Sequence, residues 1–169
     1  SMENVIAAEM LASGADVMLG GGLRHWIPKE ANTKDSAVRK ELDKMTEGAV
    51  RIKSKRKDSK NLVAQAKANG YDLAFTRSQM EKADGKLLGL FSYSAMPDAI
   101  QMSNSKNDPT RIMPTLKEMS AKAIDILSKN EKGFFLMVEA GLIDWAAHYN
   151  DAGLMLHEML RVNETIEYV

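Results

Sequence analysis

Near its C-terminal end the chain reads "FFLMVEAGLIDWAAHYND" (134–151), and this stretch carries Glu139, Asp144 and His148. Carboxylate and imidazole are the side chains that hold hard and borderline metal ions. A helix starting near Ile143 would put Asp144 and His148 four residues apart on one face. Such a pair can grip one zinc ion from a single helix turn, because zinc accepts mixed oxygen and nitrogen ligands. Glu139 alone is a harder donor and suits magnesium. A plain reading stands beside this one: Glu139 caps a helix, and Asp144 and His148 form a surface pair, since D-x-x-x-H is common by chance. Cysteine is absent, which excludes disulfides and thiolate ligands. Any metal must be held by His, Asp, Glu, or backbone or hydroxyl oxygen.

Placing these groups is the work of the preceding segment. "KGFFLMVEA" has five consecutive apolar residues before Glu139, the pattern of a central strand covered on both faces. In a parallel α/β sheet, ligands gather beyond the carboxyl ends of the strands, where Glu139 would stand. Upstream, "ADVML" (15–19), "DLAFT" (72–76) and "KLLGLFS" (86–92) also read as strands. Between them lie helical patterns. Residues 3–13 place Ile6, Met10 and Leu11 on one face, with Gly14 as a C-cap. Residues 36–45 and 61–70 have helical spacing, and Ser78 and Glu81 have capping-box spacing. Residues 97–114 read as a loop with Pro97, Pro109 and Pro114. Thr115 and Glu118 form a second capping box, opening a helix whose buried face is Leu116, Met119, Ala123 and Ile126. A last helix from about residue 151 is expected to bury Leu156, Met159, Leu160 and Ile166. Alternation of strands and helices argues for α/β architecture with a largely parallel sheet.

The bulk numbers narrow the function classes. With 169 residues, 44% apolar and 27% charged, the chain can build a sizeable core. Lys+Arg and Asp+Glu number 23 each, so no global basic field draws nucleic acid. No apolar run is long enough to span a bilayer, and no signal peptide is visible. The expectation is therefore neither a nucleic-acid nor a membrane partner.

The segment "KGFFLMVEAGLIDWAAHYNDA" resembles the metal-binding signature of the alkaline phosphatases, in which a strand ends in V-E-G/A, then I-D, then an Ala-rich step to His. "PTLKEMSAKAIDILSKNEKG", "GADVMLGGGLRHW", "NLVAQAKANGYDLAFTRSQME" and "KLLGLFSYSAMP" resemble further blocks, in the family's order. The resemblance is closest over 114–166 and loosest over 27–58 and 99–113. It implies an alkaline-phosphatase-like three-layer α/β sandwich with a largely parallel sheet, present as a partial domain. Residues 3–169 would be an internal piece of a single domain, with an insertion at about 27–58. The implied activity is hydrolysis of a phosphate monoester substrate by a zinc-activated serine, through a phosphoserine. Glu139 matches the family's magnesium-binding glutamate, and Asp144 and His148 match two ligands of one zinc. Trp145 stands where many members place Lys or His near the phosphate, so it could shape substrate access or pack. The family's nucleophile, phosphate-binding arginine and remaining ligands match nothing here. No catalytic residue is therefore expected in this chain, and the isolated chain is expected to be inactive. The resemblance further implies a homodimeric parent and a periplasmic or extracellular location. Alternatives are a phosphoglycerate mutase or sulfatase of the wider superfamily, or an inert interaction module.

Other stretches have simpler readings. Asp35-Ser36-Ala37 resembles the family's nucleophile motif but falls after "GADVMLGGG", on the wrong side of it; Ser36 reads as a helix N-cap. "GGG" (20–22) lacks phosphate-loop spacing and reads as a tight turn. His25 and Trp26 favour packing, and His157 an ordinary surface or packing role. "RIKSKRKDSK" (51–60) could bind an anion or nucleic acid, but without an interleaved aromatic it reads as a solvated loop.

Overall fold

A computed structural model describes every residue except 106 and 109. Pro109, one of the three prolines of the expected loop, lies outside the described residues. The chain forms two compact units, Ser1–Met96 and Pro97–Val169.

In the first unit, three strands form a parallel sheet: β1 (Val17–Gly20), β2 (Asp72–Ala74) and β3 (Leu87–Leu90), in the order β1-β3-β2. Val17 and Asp72 both register with Leu87. All four residues of β3 are buried, as a continuous apolar run requires when both sheet faces are covered. Space around β3 is tight enough that a Cβ on Gly89 would lie 2.4 Å from the Phe91 ring and 2.7 Å from Leu19 Cδ2. Four helices flank the strands in sequence: α1 (Met2–Ala12), α2 (Ala37–Thr46), α3 (Leu62–Ala68) and α4 (Arg77–Lys82). Leu23, Ile27, Leu42, Leu62 and Val63 are among the buried side chains of the core.

Local chemistry sets most helix starts. Ser36 Oγ accepts from the Arg39 N–H at 3.1 Å and donates to the Glu30 carbonyl, so it caps α2 as expected. Asn61 caps α3 in the same way. At α4 the cap is Thr76, not Ser78: Thr76 Oγ1 accepts from Gln79 N–H, and Gln79 Oε1 accepts from Phe75 N–H. In α1 the buried face is Ala7 and Leu11, while Ile6 and Met10 are exposed. Only one member of the expected stripe thus faces the core. The glycine turn follows β1. Gly22 has φ +88° and its N–H donates to the Ser94 carbonyl at 2.7 Å, so that amide is not free to hold a phosphate.

The second unit contains α5 (Ala99–Ser103), α6 (Leu116–Leu127), α7 (Leu142–His148) and α8 (Ala152–Ile166), with α8 packed on the other three. α5, capped by Asp98, interrupts the expected loop. Thr115 and Glu118 close the capping box of α6, and Met119, Ala123 and Ile126 are buried as read; Leu116 is half-buried.

Two expectations fail here. Residues 134–138 form no strand: Phe135 is 88% and Met137 76% exposed. An apolar run becomes a buried strand only when flanking strands take up its N–H and C=O groups. Among the described residues the sheet has three strands, and none pairs with this run. On α8, Leu156, Met159, Leu160 and Ile166 are all more than half exposed, while Glu158 and Thr165 are buried. The neighbouring helices cover the opposite side of α8, where Glu158 is satisfied: its Oε1 accepts from Ala99 N–H at 2.7 Å and its Oε2 from Arg161.

Candidate metal centre

α7 is a short helix built to hold two polar side chains out from a small anchor. Ala146 is fully buried and Leu142 and Ile143 half-buried, which fixes the helix to its unit and leaves Asp144, Trp145, Ala147 and His148 exposed. Two residues beyond the end of the helix, Asn150 has a φ of +53° and reverses the chain. The Asp151 N–H then donates to the Ala146 carbonyl at 3.0 Å, and Asp151 Oδ1 caps α8 through Leu154 N–H. This closure fixes where α7 stops, and so where His148 sits.

Asp144 lies in the first turn of α7 and His148 at its last residue. Asp144 Oδ2 and His148 Nε2 are 3.5 Å apart, with side chains 72% and 77% exposed. As a plain ion pair in water such a contact is worth about 0.3–0.5 kcal/mol. As a metal edge it has the right size. Two ligands at Zn–N and Zn–O lengths of about 2.0–2.2 Å and a tetrahedral angle stand about 3.3 Å apart. The donor types also fit, since zinc accepts an imidazole nitrogen beside a carboxylate oxygen.

Glu139 is exposed in the irregular segment ahead of α7, five residues before Asp144. The structure does not gather it with the other two: among the described residues no three His, Asp or Glu side chains converge as a metal-holding group. Trp145, next on α7, is 49% exposed. His157 is exposed on α8. His25 is engaged elsewhere: its Nε2 accepts from Arg24 Nε at 3.0 Å, which leaves Nδ1 to donate to Asn4 Oδ1 at 2.7 Å. Burial, then the charge of Arg24, holds its pKa below the ordinary histidine value. Thus α7 brings Asp144 and His148 within 3.5 Å of each other, and Glu139 does not join them in a group of three.

Sequence reasoning overlooked Arg56, whose side chain is almost wholly buried. It forks onto Asp58 at 2.7 and 2.8 Å and donates to the backbone carbonyls of Asn4 and His25. The signal was present in "RIKSKRK" as a two-residue alternation, masked by its uniform charge.

Residues 2–169 match the protein family described as alkaline phosphatase. The tissue-nonspecific alkaline phosphatase isozyme of Rattus norvegicus is 34% identical in an alignment of 160 positions that covers 89% of this chain and 28% of that protein. The crystal structure of Thermus thermophilus alkaline phosphatase superposes with a TM-score of 0.74 at 33% identity, over 97% of this chain and 29% of that one. A TAB5 alkaline phosphatase mutant with Mg bound gives 0.66 at 25% identity, over 98% and 38%. The chain therefore spans well under half the length of each relative.

Proposed function

Because this chain belongs to the alkaline phosphatase family, we propose that it contributes one side of the metal site of a phosphomonoester hydrolase. Asp144 and His148 would be two ligands of a zinc ion, and Glu139 a ligand of magnesium. The observation that carries this is the 3.5 Å separation of Asp144 Oδ2 and His148 Nε2 on one exposed helix face. When bound, zinc polarises phosphate oxygens and lowers the pKa of an attacking hydroxyl or water. The chain's own part is to aim two donors from a helix anchored at Ala146 and followed by the chain reversal at Asn150. Trp145 would border the substrate. Two protein ligands are fewer than the three a catalytic zinc normally takes. The 169-residue chain by itself is therefore proposed to be inactive, with the serine nucleophile and further ligands supplied from outside it. A homodimeric assembly and a periplasmic or extracellular location belong to the same reading. No helix among the described residues is long and apolar enough to cross a membrane.

A calorimetric zinc titration of the chain beside His148→Ala tests this. A saturable site present in the first and lost in the second is expected. Equal heats in both would sink the assignment of His148 as a ligand. Release of phosphate from a simple aryl phosphate by the isolated chain would sink the inactivity.

A further inference from the structure

The basic segment at 51–57 is not a loose solvated loop. Arg51, Lys53, Lys55 and Lys57 are exposed, while Ile52, Ser54 and Arg56 between them are buried. Side chains alternate this way on an extended backbone, where two residues advance about 7 Å. The buried members pin it down. Ser54 Oγ donates to the Ile27 carbonyl at 2.7 Å and the Ser54 N–H to Asn32 Oδ1 at 2.8 Å. Lys55 N–H donates to the Arg24 carbonyl at 2.8 Å, and Arg56 is held by Asp58, Asn4 and His25. The result is a fixed rail with four cations on its open side.

None of these four cations forms an ion pair with a carboxylate among the described residues. The two acids at the far end are engaged: Asp58 by Arg56, and Glu30 by the Ser59 hydroxyl at 2.6 Å. At the near end, Arg51 and Arg24 both lie over the Tyr93 ring, at 5.0 and 5.5 Å from its centroid. The chain as a whole is neutral, so this charge is a local concentration.

We propose that residues 51–57 are a docking rail for a linear polyanion of the inorganic polyphosphate type. From Arg51 to Lys57 the rail runs about 20 Å, more than a single phosphate can bridge. Its heads are mostly lysine ammonium groups, point charges that need no fixed register along a uniformly charged chain. Single-stranded nucleic acid would add base stacking, but the nearby aromatic ring, Tyr93, already carries two guanidinium groups. A lipid surface would add apolar insertion, and no exposed residue of 51–60 is apolar. This inference is independent of the metal site.

The test is binding of medium-chain inorganic polyphosphate to the chain in a chelator-containing buffer, at several salt concentrations, beside a Lys53→Ser/Lys55→Ser/Lys57→Ser variant and beside His148→Ala. Expected are saturable binding at low salt with a log–log salt slope of about −3, at least tenfold weaker binding and a flatter slope in the triple variant, and no change in His148→Ala. The substituted lysines are exposed, so unchanged far-ultraviolet circular dichroism should accompany the loss. No binding at low salt, or equal binding by the triple variant, overturns the rail. Equal affinity for orthophosphate, or tighter binding of an oligonucleotide of matched charge or of phosphatidylserine vesicles, overturns polyphosphate as its occupant.

Discussion

Glu158 is fully buried, and its Oε2 accepts from Arg161 Nη2 one turn further along α8. Glu158 Oε1 meanwhile holds the Ala99 N–H at the start of α5, and Arg161 Nη1 donates to the Pro97 carbonyl at 3.2 Å. A charged pair therefore ties α8 to α5 where an apolar contact would be the usual solution. Removing one partner leaves the other charge buried and alone. Glu158→Ala should cost about 3–5 kcal/mol. Glu158→Gln, which keeps an acceptor for Ala99, should cost less. Urea unfolding of the two variants measures the order, and equal losses would contradict the pairing.

Acid should weaken the start of α6. Burial tends to raise the Glu118 pKa, but bonds from Arg111 and the Thr115 N–H, with the charge of Arg111, together hold it below its ordinary value of 4.5. A carboxylate depressed in the folded state stabilises fully above its unfolded pKa, and that stability is lost as pH falls through the folded one. The stability difference between the native chain and Glu118→Gln should therefore be constant near neutrality and shrink below about pH 4.5. Thermal midpoints across that range check it.

His25 should titrate below pH 6.5, with its proton on Nδ1 in the neutral form, because Arg24 donates to Nε2. Folding holds this histidine neutral by burial, so its contribution is complete above about pH 6.5 and declines as pH falls below it. Nitrogen shifts in a long-range ¹H–¹⁵N spectrum report both tautomer and titration. An Nε2–H tautomer would contradict the geometry.

Separately substituting Asp144 and His148 with Ala should leave stability in chelator within about 0.5 kcal/mol of the native chain, since both side chains lie in water. A larger loss would mean that the pair serves the fold rather than a metal.

Gly89→Ala should be costly although it adds only one methyl group. The new Cβ meets the Phe91 ring and Leu19 inside the central strand. Overpacking of this kind costs about 1–3 kcal/mol. Chemical denaturation gives the value, and a neutral result would show that Phe91 can move aside.

The exposed apolar groups of the second unit should make the purified chain self-associate. Phe135, Met137, Leu156 and Met159 all present more than half of their surface to water. Sedimentation at rising concentration should show a growing mass that Phe135→Ser/Met159→Ser reduces.

Much of the fold was legible from local chemistry. The capping oxygens of Ser36 and Thr115, the apolar run of β3, and the glycine turn at 20–22 act within a few residues of themselves, so spacing alone reveals them. The i, i+4 relation of Asp144 to His148 is equally local, and only helix geometry is needed to bring them within 3.5 Å. What spacing could not decide is which side of an element its neighbours cover. The stripe of Leu156, Met159 and Leu160 is a sound apolar face, yet α5, α6 and α7 pack on the side that carries Glu158 and Thr165. The run at 134–138 has strand composition, but a strand exists only where other strands accept its hydrogen bonds. Burial of Arg56 inside a basic run likewise depends on Asn4, His25 and Asp58, groups distributed from one end of the first unit to its middle. Sequence determined the periods, the caps of α2 and α6 and the identity of the metal-type donors. Tertiary structure decided which faces and which charges are taken out of water, because burial is a property of pairs of elements and not of either one.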